Sequence, residues 1–298
     1  MEGSHGMLPG GYWDRAGQLQ REFELTPLTG REEEMLVQAR QRETASLVTA
    51  LLSRCVRRLG DIHPVSEEVA RGLLVADRQY LLLKLRQVTF GDLVRANLFC
   101  PWPDCGKQVS LDFRIDDVPV TEASNPGPFY HLTLSPAAAH TEDEALREIV
   151  FRLPCGADQE EASPLLADNE ARALNLLLAR CLQRVGDAVP PGEDRVADLS
   201  PLARAEIEAA MEHVAPRIEL DMETTCPECG RFFVTPLDLH RFFFGELRTD
   251  RDQLYREVHY LAYHYHWSER EIMDMPRDRR RTYIEVLADE IERLNHDS

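Results

Sequence analysis

No stretch of this 298-residue chain is apolar for long enough to cross a bilayer. A spanning helix needs roughly 20 apolar residues, and the clusters here are as short as Leu81-Leu82-Leu83. Nor do the first residues hold the apolar run of roughly 7 to 15 that marks a secretory signal. They carry Glu2, Asp14, Glu22 and Glu24 instead, so a soluble cytoplasmic protein is expected. Basic residues are scarce: 34 Lys and Arg against 52 Asp and Glu leave a net charge of −18. Such a surface repels phosphate backbones and anionic headgroups, which makes nucleic acid a poor partner. Missing too are a Gly-rich phosphate loop, a paired-histidine metalloprotease helix and a nucleophile elbow. Neither a catalytic site nor a small-molecule substrate is expected.

What is present is an ordinary globular balance, with 43% apolar and 29% charged residues. Cysteines number seven, which is odd, and disulfides rarely persist in a reducing compartment. Metal ligation or burial must account for them.

The opening Leu8-Pro9-Gly10-Gly11-Tyr12-Trp13-Asp14 is rich in turn formers and reads as part of an extended arm over 1–28. Thr29-Gly30-Arg31-Glu32 has the spacing of a capping box and predicts a helix start. Val48, Leu51, Leu52, Cys55 and Leu59 recur at helical spacing up to Gly60, and a further helix is predicted over 77–86. Alternation of Val109, Leu111, Phe113 and Ile115 predicts a half-buried strand, with more strands over 131–134 and 149–153. Leu174, Leu177, Leu178, Cys181 and Val185 share another helical face, closed by Pro190-Pro191-Gly192.

An internal repeat organises these pieces. Leu52-Ser53-Arg54-Cys55-Val56-Arg57-Arg58-Leu59-Gly60-Asp61 matches Leu178-Ala179-Arg180-Cys181-Leu182-Gln183-Arg184-Val185-Gly186-Asp187, a step of 178 − 52 = 126. The same step carries Cys100 to Cys226. The expectation is a mainly helical α+β chain of two related halves, 29–155 and 156–245, joined at a shared four-cysteine, zinc-ribbon-like site and followed by a helical tail over 246–298.

Cys100-Pro101-Trp102-Pro103-Asp104-Cys105-Gly106-Lys107 and Cys226-Pro227-Glu228-Cys229-Gly230-Arg231 each have the form of a zinc knuckle. A tight turn sets two thiolates on one side of an ion, and the glycine after the second cysteine permits a positive φ. One structural zinc held by Cys100, Cys105, Cys226 and Cys229 is predicted. Cys55, Cys155 and Cys181 fit simple burial. A redox pair at Cys226 and Cys229 would leave the first knuckle unexplained, and Glu228 makes that setting less electropositive.

His140-Thr141-Glu142 with the second cysteine pair loosely resembles a zinc deaminase, but Thr225 stands where that motif needs proline. His259, His264 and His266 lie close in sequence, and packing explains them better than a second metal. Ser268-Glu269-Arg270-Glu271 predicts another helix start. Tyr263, Tyr265 and Trp267, with Arg277, Arg279, Arg280 and Arg281, are candidates for a partner-binding surface. Packing of the aromatics within the chain is the competing reading.

Several segments resemble the baseplate protein family of contractile-tailed, T-even-like phages, which also occurs among phage-derived contractile injection systems. They are residues 8–14, 22–34, 77–92, 151–159 and 261–281, the last containing Leu261-Ala262-Tyr263-His264-Tyr265-His266-Trp267-Ser268. Cys155 departs from the family pattern, where a small polar residue is expected. The resemblance implies a non-enzymatic role in a phage-like particle, with other baseplate or tail proteins as partners. The alternatives are a transient tail assembly chaperone and, in another class, a zinc-dependent or redox enzyme.

Overall fold

The computed structural model describes residues 4–38, 44–166, 168–237, 243 and 251–296. It mixes α and β. The opening residues are extended and paired into a sheet. β1 (Ser4–Trp13) and β2 (Leu19–Leu25) pair antiparallel, and β2 pairs with β3 (Val56–Leu59). Leu8, Phe23, Leu25 and Leu28 are at most 1% exposed. Turn formers in this stretch make a bulge in a paired strand, at Met7/Tyr12.

Helix α1 (Gly30–Gln38) starts at the predicted cap, where Glu32 accepts from both the backbone and the hydroxyl of Thr29. α2 (Thr44–Cys55) ends five residues before Gly60. The apolar residues Val56 and Leu59 satisfy a helical spacing, but their backbone bonds go to β2 instead. α3 (Glu67–Gly72) and α4 (Val75–Phe90) complete the first apolar core with α2 and the β1-β2-β3 sheet. Asp77 on α4 is buried and accepts from the backbone of Gly10 and Gly11 at 2.8 Å each, which ties the β1 bulge to the helix.

Next come the β4 (Leu93–Phe99) and β5 (Gln108–Arg114) hairpin, a 3-10 turn at Ile115–Asp117, β6 (Val120–Thr121), β7 (Tyr130–Thr133), short helices α5 (Pro136–Ala139) and α6 (Glu144–Arg147), and β8 (Glu148–Phe151). α7 (Gly156–Leu166) and α8 (Glu170–Cys181) lead into β9 (Leu182–Val185), so this second helix also gives way to a strand sooner than predicted. α9 (Glu193–Ala197) and α10 (Pro201–Val214) close a second core over the β7-β8-β9 sheet.

Strand register repeats at the step seen in the sequence. Ser4↔Leu25, Gly6↔Phe23 and Met7↔Glu22 stand beside Tyr130↔Phe151, Leu132↔Ile149 and Thr133↔Glu148. Phe23↔Leu59 and Leu25↔Val56 likewise stand beside Ile149↔Val185 and Phe151↔Leu182.

β10 (Arg217–Ile218) pairs with β6, and β11 (Asp221–Thr225) with β12 (Phe232–Pro236) forms a second hairpin. The predicted boundary between 245 and 246 lies outside the described residues. Beyond it, α11 (Arg251–Tyr265), α12 (Glu269–Met273) and α13 (Arg277–His296) pack around their own cluster of Leu254, Val258, Leu261, Ile272 and Met273. The predicted capping box at Ser268 and Glu271 is formed in full.

Candidate metal centre

Each cysteine pair sits in the turn of a two-stranded hairpin, β4-β5 or β11-β12. Inward-facing Val109 and Phe233 pack with Cys100 and Cys226 into a small cluster, against which Cys105 and Cys229 lie partly exposed. Isolated two-stranded hairpins are marginal in water, so this region has little apolar burial to hold it.

The four sulfurs lie within 4.8 Å of one another. Cys100 and Cys229 approach to 3.8 Å, and Cys105 and Cys226 to 3.7 Å, so the close pairs cross between knuckles. A tetrahedral ion with sulfur at about 2.3 Å sets its ligands about 3.8 Å apart. The spacing fits.

Both turns are built for thiolates. Gly106 and Gly230 adopt φ of 58° and 71°, which places the next backbone N–H against the second sulfur of its knuckle. The N–H of Arg231 is the leading reason that Cys229 falls to about 7. Burial pushes Cys100 up to about 12. Four adjacent thiols therefore do not all ionise by themselves, whereas a bound cation would favour the thiolate at each. Arg231 also bonds Asp104 and lies 4.9 Å from the Trp102 ring centroid, joining one knuckle to the other.

The remaining predicted residues separate. Among the described residues, the four cysteines are the only cluster of three or more potential metal-binding side chains. His264 packs on the rings of Tyr260 and Tyr263, and His259 on Tyr263. Cys55 and Cys181 are buried, and Cys155 is half-buried with its thiol 3.2 Å from Asp158. Burial raises all three thiols, which makes them poor nucleophiles.

On the tail, Tyr263 is 69% exposed. Tyr265 and Trp267 stack on each other and meet Tyr283 edge-on. Arg279 and Arg281 face solvent, whereas Arg277 and Arg280 are buried toward the chain's own Glu33. Those two arginines are therefore turned inward. Sequence reading missed the buried acids Glu33, Asp77 and Asp158, because nothing local marks an acid whose partner lies on a distant element.

Residues 15–244 match a family described as T4 bacteriophage base plate protein. Residues 247–298 match a second, described as Family of unknown function (DUF6760). No curated protein and no solved structure matches the chain.

Proposed function

We propose, from the premise that this chain belongs to the T4 bacteriophage base plate protein family, that it is a structural or assembly component of the baseplate of a contractile phage tail or phage-like injection system. The family match over 15–244 carries this reading. Its partners are then other baseplate or tail proteins, and its role is non-enzymatic. Mass spectrometry of purified particles tests it, with the chain expected at a fixed ratio to the other baseplate subunits. Particles that need the chain to form yet lack it would point instead to a transient assembly factor.

Within that role, Cys100, Cys105, Cys226 and Cys229 hold one structural zinc. The sulfur spacing supports this, as do the backbone donors aimed at the second cysteine of each knuckle. Four protein ligands would leave no open position for water, so the ion would contribute stability rather than chemistry. The reading of two related halves is supported by the shared register of their sheets, and the metal would then join the halves. Metal analysis is the check. One zinc per chain is expected in the native protein, with loss of zinc and a lower melting temperature in both Cys100→Ser and Cys226→Ser. Full occupancy and unchanged melting in both variants would sink the assignment.

A further inference from the structure

A helical corner of one design occurs three times among the described residues. A short helix is followed, after a brief turn, by a longer helix whose fourth residue is arginine: α3-α4 with Arg78, α9-α10 with Arg204, and α12-α13 with Arg280. Each short helix buries one apolar residue completely, Ala70, Val196 or Ile272. Each arginine bonds a carbonyl of its own corner, Arg78 to Ala70 at 2.8 Å, Arg204 to Val196 at 2.7 Å and Arg280 to Met275 at 3.4 Å.

Two of the corners are covered in one way, by a glycine-led helix from elsewhere in the chain. α7 covers the first: Leu74 bridges Cys155, the N–H of Val75 donates to Pro154, and that of Gly156 to Leu73. α1 covers the third: Thr29 bridges Pro276 and the N–H of Arg277 donates to Leu28. Little room is left for a side chain at either glycine. A Cβ would stand 2.3 Å from Nη1 of Arg78 at Gly156, and at Gly30 it would stand 2.9 Å from Sδ of Met273 and 3.2 Å from Nη1 of Arg280. The middle corner starts its long helix with Pro201, which has no N–H to give. Its Arg204 stays partly exposed, and no such bridge is formed there among the described residues.

The third corner differs from the first in its origin. It belongs to a segment that matches its own family over 247–298, directly after the match that ends at 244. That segment has its own apolar cluster. Its hold on the body combines the close approach of Met273 to Gly30 with specific polar contacts. Glu33, 1% exposed, accepts from Arg280 at 2.9 and 3.0 Å, and Arg280 also donates to Glu257. Arg31 pairs with Asp274, and Tyr255 donates to Glu34.

We infer that residues 28–34 form a docking slot for a module of the tail's chemistry, a serine-capped helix, a Met-Pro turn and an arginine-led helix, and that the tail, through its described residues 251–296, fills it as a separable module held by contact rather than by chain continuity. The covered first corner shows the same contact made by a different segment. The tail would therefore bind as a distinct polypeptide as well as a fused one.

The test keeps the full chain until after folding. A protease site placed at residues 245–246 is cut in the purified protein, and association of the two pieces is followed by size exclusion and native mass spectrometry. The wild-type pieces are expected to stay together and, when mixed with an isotopically heavy cleaved sample, to form light-heavy complexes. Glu33→Gln should weaken the complex by about thirtyfold or more, as for truncating one side of a buried charge pair. Asp274→Asn, at an exposed site that does not threaten folding, should weaken it about two- to fivefold. Zinc content, read alongside, reports the fold of the body independently. Wild-type pieces that separate on cleavage, or pieces that never exchange, would overturn the inference. So would both variants holding together as tightly as the native complex.

Discussion

A single substitution pattern ties the two caps together at the level of residues. Thr29 and Glu32 at the start of α1 correspond, at the step of the repeat, to Cys155 and Asp158 at the start of α7. In both, the acid accepts from the backbone N–H of the first residue, at 3.0 and 2.9 Å. Cys155, out of place by sequence pattern, thus stands as a small capping residue. Its acid has gained further partners, since Asp158 is fully buried and accepts from Arg152 at 2.6 and 2.8 Å and from Arg180 at 2.8 Å. Burial raises its pKa, but these donors and the Cys155 N–H more than reverse that, to about 2. Because the folded pKa is depressed below the usual 3.8, the contribution is present above about pH 4 and is lost as the pH falls through about 2. It is on the order of 2 kcal/mol. Asp158→Asn should therefore lower denaturant stability near neutrality, and the gap from wild type should shrink between pH 4 and 2. A gap independent of pH would refute the electrostatic account. The cap was legible in the sequence at Thr29, but the ion pairs were not, since Arg152 and Arg180 find Asp158 only after β8 and α8 are in place.

Among the elements, the sequence misled where two periods agree. Val56 and Leu59, or Leu182 and Val185, are three apart and extend the face of the preceding helix. They also read as the buried ends of a short strand, and both are buried in the structure. The decision is made by β2 and β8, whose pairing edges lie far away in sequence, so local pattern could not settle it. The turn of hairpin β11-β12 was more legible, because Cys-Pro-Glu-Cys-Gly dictates it, and the strand after it was expected whereas the strand before it was not. There Gly230 holds φ at 71°, and a Cβ added to it would meet nothing within 4 Å, so backbone conformation alone opposes a side chain. Gly230→Ala should cost about 1 kcal/mol and weaken metal retention, with Gly230→Asn costing less. Chemical denaturation of the three proteins side by side checks the order; alanine equal to glycine would mean that the positive φ does not fix the turn.

At the scale of the whole molecule, two cysteine pairs far apart in sequence meet in space. Apolar burial serves two large clusters well, and among the described residues it serves the knuckles poorly, with only Val109 and Phe233 beside the cysteines. Stability there must come from somewhere other than a core. An ion bound to the native chain, and not to the unfolded one, stabilises it by mass action, by about 4 kcal/mol when free zinc is a thousandfold above its dissociation constant. In a chain of this size each kcal/mol moves the melting temperature by about 1.6 °C, so a strong chelator should lower it by roughly 6 °C. The fall should be reversed by zinc and scale with the logarithm of free zinc. Cys100→Ser should begin near the chelated value and respond to neither treatment. A native protein whose melting ignores both chelator and zinc would mean that hydrogen bonds such as Arg231 to Asp104 hold the knuckles together without metal.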